Sequence, residues 1–273
     1  MAGEKDEKNY FYLSQLAKPE MKKTFLLFLL TSVFWSSCKK SRGLTVTKIN
    51  WEQIVISDSI PANDSIAAFI GPYKKHIDQE MNAVLAYAPI GLTKTDDEFN
   101  TAIGNMMADA VMELANPVFE QRTGESIDIV LLNYGGIRSS LSKGDVSTRT
   151  AYQIMPFENE VVVAELRGEQ VREMVRYLID DGSAHPVAGL ELAINLENAI
   201  ERMLVQGKPV EEDKIYYVAT NDYLYQGGDN MLFFAKAEGV HNLDYKIRNV
   251  LIDYFSQKDT IAPVRDQRFI RIP

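Results

Sequence analysis

The sequence predicts an α+β fold in which helices pack in layers on mixed α/β sheets. Patterns typical of helices and strands are interspersed along the chain, without the regular strand–helix–strand repeat of a doubly wound protein. The 273 residues are 46% hydrophobic and 25% charged, an ordinary globular composition. This length suits one large domain or two small ones, and nothing after residue 60 resembles a linker between domains.

Three elements are predicted in the first part of the chain. Residues 45–57 alternate in part between polar and apolar side chains and end in an apolar pair, which predicts a strand. Residues 64–87 have apolar residues at helical spacing, but Pro72 is expected to break or kink this helix. Residues 97–116 are predicted to form a second helix with acidic residues in its first turn, where the helix dipole favours them.

The second part of the chain is predicted to alternate buried strands with helices. Its strand segments are short apolar runs, except for one that alternates strictly and should have one exposed face. The predicted strands are residues 126–132, 160–167, 189–196 (the alternating one) and 214–220, with a short strand near residue 269. The predicted helices are residues 168–182 and 245–257.

The segment 21–38 has the organisation of a bacterial lipoprotein signal peptide. Two lysines follow Met21, an apolar run extends to Trp35, and small residues precede the only cysteine, Cys38. Cys38 resembles a lipobox cysteine, although Trp35 stands where leucine is commoner. The alternative is a short buried helix with an incidental cysteine.

These features predict three regions. Residues 1–38 are an N-terminal extension and signal peptide, residues 39–60 a tether and first strand, and residues 61–273 the main domain. If Cys38 carries a lipid, we expect the chain to be anchored at a membrane of the bacterial cell envelope, facing the periplasm or the cell surface.

The net charge argues against nucleic-acid binding, and the positions of the histidines argue against a dinuclear metal site. The formal net charge is -9 and no long basic block occurs, so nucleic acid is not an expected partner. His76, His185 and His241 are far apart in sequence, which nearly excludes a histidine-rich dinuclear metal site. We therefore predict no metal ligand in this chain, and we also expect no catalytic residue and no cofactor in it.

Three polar loops contain the residues that could bind a ligand: 133–138 (NYGGIR), 156–159 (PFEN) and 221–230 (NDYLYQGGDN). Arginine suits phosphate or sugar oxygens, glycines expose backbone N–H groups, and aromatic rings offer faces on which a base can stack. Each feature has a structural alternative: a Gly-Gly pair is more often only a turn, and a phenylalanine after proline more often fills the core. The residues alone predict an α/β domain with two glycine-rich loops.

Together, however, the ordered segments resemble the C-terminal domain of the 5'-nucleotidase family. The resemblance covers roughly residues 90–260, and several motifs in order are more specific than any one of them. The segments that resemble the family are AIGNMMADA (102–110), NYGGIR (133–138), GDVS (144–147), PFENEVVVAELRGEQV (156–171) and TNDYLYQGGDN (220–230). The implied fold is a 5'-nucleotidase C-terminal-like domain.

The resemblance also implies roles for individual residues. Phe157 and Tyr223 would sandwich a nucleobase, Asn133 would contact the base, Arg138 the phosphate or ribose, and Asp229 the ribose hydroxyls. The full implied substrate-binding set is Asn133, Gly135, Gly136, Arg138, Phe157, Asn159, Gly189, Tyr223, Gly227, Gly228 and Asp229.

Departures from the family leave three functions open. Lys94 stands in a loop where the family has arginine, which predicts weaker phosphate binding or a nucleoside ligand. About 50 residues separate the signal peptide from the first matching helix, too few for the family's metallophosphoesterase domain. The chain would then recognise a nucleotide for a separate metallophosphoesterase chain that holds the divalent metal ions. The alternatives are a non-catalytic lipoprotein that scavenges nucleotides or nucleosides, and a scaffold that has lost its ligand.

Overall fold

The computed structural model describes residue 27, residues 46–57 and residues 60–273. The predicted signal peptide, most of the tether and Cys38 lie outside the described residues, apart from Leu27, which is helical and exposed. The chain divides into two compact units, residues 1–61 and residues 62–273. In the first unit, residues 46–57 have no regular secondary structure and are exposed.

The second unit contains helices and three β-sheets. The helices are α1 (Asp64–Met81), α2 (Ala102–Thr123), α3 (Thr148–Ile154), α4 (Gly168–Asp181), α5 (Asp222–Tyr225) and α6 (Ile247–Ser256). The strands are β1 (Val84–Ala88), β2 (Ile129–Leu131), β3 (Gly144–Ser147), β4 (Glu160–Arg167), β5 (Val187–Ala188), β6 (Leu190–Ile194), β7 (Ile200–Val205), β8 (Lys208–Pro209), β9 (Ile215–Asn221), β10 (Val240–Lys246) and β11 (Phe269–Arg271).

The central sheet has five strands in the order β10-β4-β9-β2-β5. β2 runs parallel to β9, whereas the other neighbouring pairs are antiparallel, so the sheet is mixed. A four-stranded sheet has the order β11-β6-β7-β8, and β1 pairs with β3 in a separate ribbon. This architecture confirms the predicted α+β class with mixed sheet layers.

Apolar cores lie on both faces of the central sheet. Along β4, Val161 and Val163 pack in a core with α2 and α6, whereas Ala164 and Leu166 pack in a second core with α4 and the four-stranded sheet. Successive side chains of a strand point to opposite faces. A strand buried on both faces is therefore apolar almost throughout, as the sequence of β4 is.

In the N-terminal part, the first predicted strand is absent and the first predicted helix is shorter than predicted. The predicted strand at 45–57 is absent from residues 46–57, where Ile54, Val55 and Ile56 are all exposed. These three apolar residues are consecutive and do not alternate, and a strand also needs a neighbour for its backbone groups. The predicted helix at 64–87 ends at Met81, and its last predicted residues form β1, because they pair with the distant β3.

Pro72 does not interrupt α1, contrary to expectation. None of the residues of α1 is buried, so water can bond the backbone carbonyl that proline leaves without a donor. The next helix, α2, begins at Ala102 and not at residue 97, because the Thr101 hydroxyl caps it by accepting from Gly104 N–H at 3.2 Å. The predicted acidic residues therefore precede this helix, and its first turn contains none.

The strands and helices predicted in the second part of the chain are present, with small shifts at their ends. β4 has the predicted bounds, and α4, β9 and α6 each lie within two residues of theirs. β6 is less exposed than its alternation predicts, because Glu191 is exposed but Ala193 is buried. The neighbours of Ala193 across the sheet are Ile270 and Arg202, which share its face and have longer side chains.

Candidate functional site

The sheet topology brings the three polar loops to one edge of the central sheet. The loop 133–138 follows β2, and the loop 221–230 begins at the end of β9, which is parallel to β2. The loop 156–159 precedes β4, which is antiparallel to β9, with Val161 paired to Asn221. The end of β2, the end of β9 and the start of β4 therefore meet, although their loops are far apart in sequence.

A cleft of about 430 Å³ opens between these loops. Eight of the residues implied by the resemblance line it, together with Met155, which the sequence did not indicate. The lining residues are Asn133, Gly135, Gly136, Arg138, Met155, Phe157, Asn159, Tyr223 and Asp229.

Two aromatic side chains in the cleft are only half covered by the protein. Phe157 is 41% exposed and Tyr223 is 46% exposed. In the described part of the chain, neither ring packs on another aromatic ring, although the Arg138 guanidinium lies 5.8 Å from the centre of the Phe157 ring. Gly228 lies directly against Tyr223, since a Cβ there would be 2.5 Å from two atoms of the ring. The glycine thus makes room for the ring.

Asp229 is the centre of the polar network in the cleft. Its Oδ2 accepts from Asn133 Nδ2 at 2.8 Å, and its Oδ1 accepts from the Tyr223 hydroxyl at 2.8 Å. This hydrogen bond to Asp229 is the main cause that raises the pKa of Tyr223 above its usual range. Asn133 is itself buried, and its Oδ1 accepts from Asn221 Nδ2 at 3.4 Å. Both ends of the Asn133 amide therefore bond within the protein.

Asn159 belongs to a second polar contact, between two of the loops. Its Nδ2 donates to Asp222 Oδ1 at 2.9 Å, and the same oxygen accepts from the backbone N–H groups of Glu160 and Tyr223 at 3.3 and 2.9 Å. Asp222 thereby links the start of β4 to the residues that follow β9. The Asn159 side chain and the Tyr223 backbone are therefore held at the same carboxylate oxygen.

Two cations, Arg138 and Lys94, lie near each other at the glycine loop. Arg138 Nη1 donates to Gly135 O at 3.4 Å, and Lys94 Nζ lies 3.5 Å from Tyr134 O and 4.1 Å from the centre of its ring. Burial, followed by repulsion from Arg138, lowers the pKa of Lys94. Adjacent cations repel each other, and a bound anion would relieve that repulsion.

Comparison with known proteins identifies the family. The sequence model of the 5'-nucleotidase C-terminal domain matches residues 84–236. The chain belongs to the 5'-nucleotidase C-terminal domain family. The trifunctional nucleotide phosphoesterase protein YfkN of Bacillus subtilis is 27% identical over 222 residues, which are 75% of this chain and 15% of YfkN. Protein UshA of Escherichia coli is 23% identical over 78% of this chain and 39% of UshA.

A solved structure has the same fold. The 5'-nucleotidase precursor from Thermus thermophilus matches with a TM-score of 0.63 at 21% identity, over 77% of this chain and 42% of that one. The chain thus spans less than half the length of each of these proteins. In its described residues, we find no group of three His, Cys, Asp or Glu placed to hold a metal ion. None of the helices in the same residues combines the length and apolarity needed to cross a membrane.

Three glycines implied by the resemblance do not line the cleft of this 5'-nucleotidase C-terminal domain. Gly189 lies between β5 and β6, where a Cβ would be 2.1 Å from the backbone oxygen of Asp128. Gly227 has a φ of 91° and begins the turn that contains Asp229, and Gly228 packs directly against the Tyr223 ring. The structure therefore places Gly189 in strand packing, and the other two in the turn that contains Asp229.

Arg248 on α6 holds the Phe157 loop, and no sequence motif marked it. Its buried guanidinium donates to the backbone oxygens of Pro156 and Phe157 at 3.3 and 3.2 Å and pairs with Glu158. Hydrogen bonds from Lys246 and then Arg248 lower the pKa of Glu158 to about 2. The loop that contains Phe157 is therefore anchored by α6, a helix that is distant in sequence.

His185 also contacts the glycine loop of the domain. Its Nδ1 accepts a hydrogen bond from the backbone N–H of Tyr134 at 3.2 Å, while Nε2 lies 2.9 Å from Asp181 Oδ2. The imidazole side chain is 5% exposed. His185 was considered in the sequence only as a metal ligand, and the structure gives it a structural contact.

Replacing His185 with leucine is expected to reduce the free energy of unfolding by about 1–3 kcal/mol, since the Tyr134 N–H loses its acceptor. Urea denaturation of the two proteins would measure the difference. His76→Leu is the matched control, because His76 is exposed and pairs only with Glu80 on α1, so its effect should stay within about 0.5 kcal/mol. Equal effects of the two substitutions would contradict the supporting role of His185.

Proposed function

We propose that this chain recognises the nucleoside part of a nucleotide for phosphoester hydrolysis. The observation that carries the proposal is the pairing, in one cleft, of two half-exposed aromatic rings with a hydrogen-bonded carboxylate. An exposed aromatic face gains free energy when a base stacks on it, by about 1–3 kcal/mol per base. Phe157 and Tyr223 would stack on the base, and Asp229 would accept from the sugar.

The phosphate would lie towards Arg138 and Lys94. Arginine offers two parallel donors to phosphate oxygens, and the lysine adds a point charge. An acidic protein of net charge -9 can still bind a phosphate ester through such a local pair of cations. This arrangement supports a nucleoside monophosphate as ligand.

We propose that the hydrolytic step uses metal ions held by a separate metallophosphoesterase chain. The described residues offer no cluster of metal ligands, and two metal ions are a common way to activate water and stabilise the leaving oxygen in phosphoester hydrolysis. The relatives YfkN and UshA are much longer than the segment that matches this chain. The contribution of this chain would be to hold the substrate in position, which lowers the entropy cost of the reaction.

Titration calorimetry of the full chain with adenosine, AMP and UDP-glucose tests this function. Phe157→Ala and Tyr223→Leu should each weaken binding of adenosine and AMP by about 5- to 150-fold, the equivalent of about 1–3 kcal/mol. Phe69→Ala and Tyr87→Leu are matched controls, since both aromatics are exposed on other surfaces. AMP should bind more tightly than adenosine if the two cations contact phosphate.

The outcomes separate the candidate functions. Absence of binding by the wild type, or equal losses in the cleft variants and the controls, would reject nucleotide recognition. Phosphate release from AMP by the chain alone in the presence of Mn²⁺ would reject the need for a separate catalytic chain. Binding without turnover agrees with both the split enzyme and the scavenging lipoprotein, and a metallophosphoesterase chain whose activity the protein increases would distinguish them.

A further inference from the structure

The carboxylate of Asp229 has two acceptor positions left for a ligand. A carboxylate offers about four lone-pair positions on its two oxygens. One position on Oδ2 is taken by Asn133 Nδ2 and one on Oδ1 by the Tyr223 hydroxyl, each at 2.8 Å. The remaining positions, one on each oxygen, suit two hydroxyl donors on adjacent carbon atoms, as in a ribose with both its 2′ and 3′ hydroxyls.

The backbone of Asp229 is in a conformation that must be held in place. Its φ is 51° and its ψ is 24°, and Asn230 follows with a φ of 60°. Residues other than glycine are uncommon in this left-handed region, although Asp and Asn enter it most readily, so the contacts around Asp229 help to fix its conformation. The direction of the carboxylate depends on that conformation.

Tyr177 on α4 provides such a contact. Its hydroxyl donates to the backbone oxygen of Asp229 at 2.7 Å. The ring is half-buried and contacts Phe233 at 5.8 Å and His185 at 5.9 Å between centres, so it is fixed by packing. Burial, and then the charges of Asp181 and Asp229, raise the pKa of Tyr177 to about 12.

We propose that Tyr177 is a positioning residue that sets selectivity for ribose over deoxyribose by holding Asp229 in its left-handed conformation. The inference rests on the proposed function and adds a specificity determinant outside the cleft lining. Asn133 acts with Tyr177, because its Nδ2 donates to Asp229 and its Oδ1 accepts from Asn221. Orientation of the carboxylate is then a role of Asn133 beside the contact to the base that the resemblance implies, because one Nδ2 hydrogen and one Oδ1 lone pair remain for a ligand.

The test compares adenosine with 2′-deoxyadenosine by titration calorimetry, in the full-length wild type and in Tyr177→Phe. The wild type should prefer adenosine by about tenfold or more, as expected for one hydrogen bond to a carboxylate. Tyr177→Phe should bring this ratio close to one while changing the affinity for 2′-deoxyadenosine only a few-fold. A purely structural role would weaken both ligands equally and leave the ratio unchanged.

Tyr225→Phe is the matched control, because Tyr225 is also partly buried against the α4 core and its hydroxyl makes no hydrogen bond to another described residue. It should keep the wild-type ratio. If Tyr177→Phe fails to fold, Tyr223→Phe replaces it. This exposed side chain loses its bond to Asp229 Oδ1 and the bond that it accepts from the Asp229 backbone N–H at 3.3 Å, and because both bonds hold Asp229, the ratio should also fall.

The outcomes are distinct for the two proposals. A wild type that prefers adenosine, with a variant that has lost the preference, supports the inference. A wild type that binds both nucleosides equally, or a Tyr177→Phe protein that keeps the full preference, overturns the inference and leaves nucleoside recognition intact. A wild type that binds neither nucleoside overturns the proposed function and the inference with it.

Discussion

Gly189→Ala is expected to destabilise the protein by about 2–5 kcal/mol. Gly189 has a φ of 74°, a conformation that costs a residue with a Cβ about 1–2 kcal/mol. The new Cβ would also lie 2.1 Å from the backbone oxygen of Asp128 and 2.7 Å from Gln206 Nε2. Moving a backbone in a packed core adds about 1–3 kcal/mol. Urea denaturation would measure the change.

Gly207→Ala separates the two contributions. Gly207 has a φ of 71°, close to that of Gly189, but a Cβ there would meet no atom within 4 Å. This control should therefore lose only about 1–2 kcal/mol, the conformational part. If both variants lost the same amount, the close approach to Asp128 would not contribute, and Gly189 would be needed only for its backbone conformation.

Arg268→Met is expected to lower the free energy of unfolding by about 2–4 kcal/mol at neutral pH. The mostly buried guanidinium donates to both carboxylate oxygens of Asp109 at 2.8 and 3.1 Å, to Asp266, and to Val187 O at 2.7 Å. Hydrogen bonds to charged groups contribute about 1.5–3 kcal/mol, reduced here because both carboxylates are partly exposed. Methionine would leave the two carboxylates without their shared cation.

The effect of Arg268→Met should depend on pH. Burial alone would raise the pKa of Asp266, but hydrogen bonds from Arg268 outweigh it, and the pKa is lowered. A carboxyl with a lowered folded pKa stabilises the protein above its unfolded pKa of about 3.9, and this contribution is lost as the pH falls. The difference between wild type and variant should therefore narrow below about pH 4.

Arg265→Met is the control for Arg268. Arg265 pairs with Asp97 on the surface, with 51% of its side chain exposed, so its removal should cost about 0–1 kcal/mol. Chemical denaturation at pH 7 and at pH 3.5 would compare the three proteins. A loss for Arg268→Met no larger than that of the control, or a loss independent of pH, would contradict this account.

Local sequence patterns predicted the secondary structure closely where an element is buried against a core. The apolar run of β4 and the helical pattern of α4 were predicted closely, because both are buried against the same core. Segments whose state depends on a distant partner were predicted wrongly or not at all. Residues 84–87 continued a helical pattern but became β1, since their backbone groups pair with the remote strand β3 and, at Tyr87, with Asp259 and Ile261.

By itself, the sequence determined which residues are available to bind a ligand. The three loops with Arg138, Phe157, Tyr223 and Asp229 were evident from residue type and order, because stacking faces, cations and carboxylates are properties of single side chains. Family membership followed from the same motifs, since their order survives at low overall identity.

The tertiary structure alone decided how these residues act on one another. Strand direction brings the three loops to one edge, and the close approach of Asp128 removes Gly189 from the cleft. The bonds from Asn133 and Tyr177 to Asp229, and from Arg248 to the Phe157 loop, each join segments more than 50 residues apart. No local pattern encodes such contacts, because they depend on the register and packing of the whole sheet.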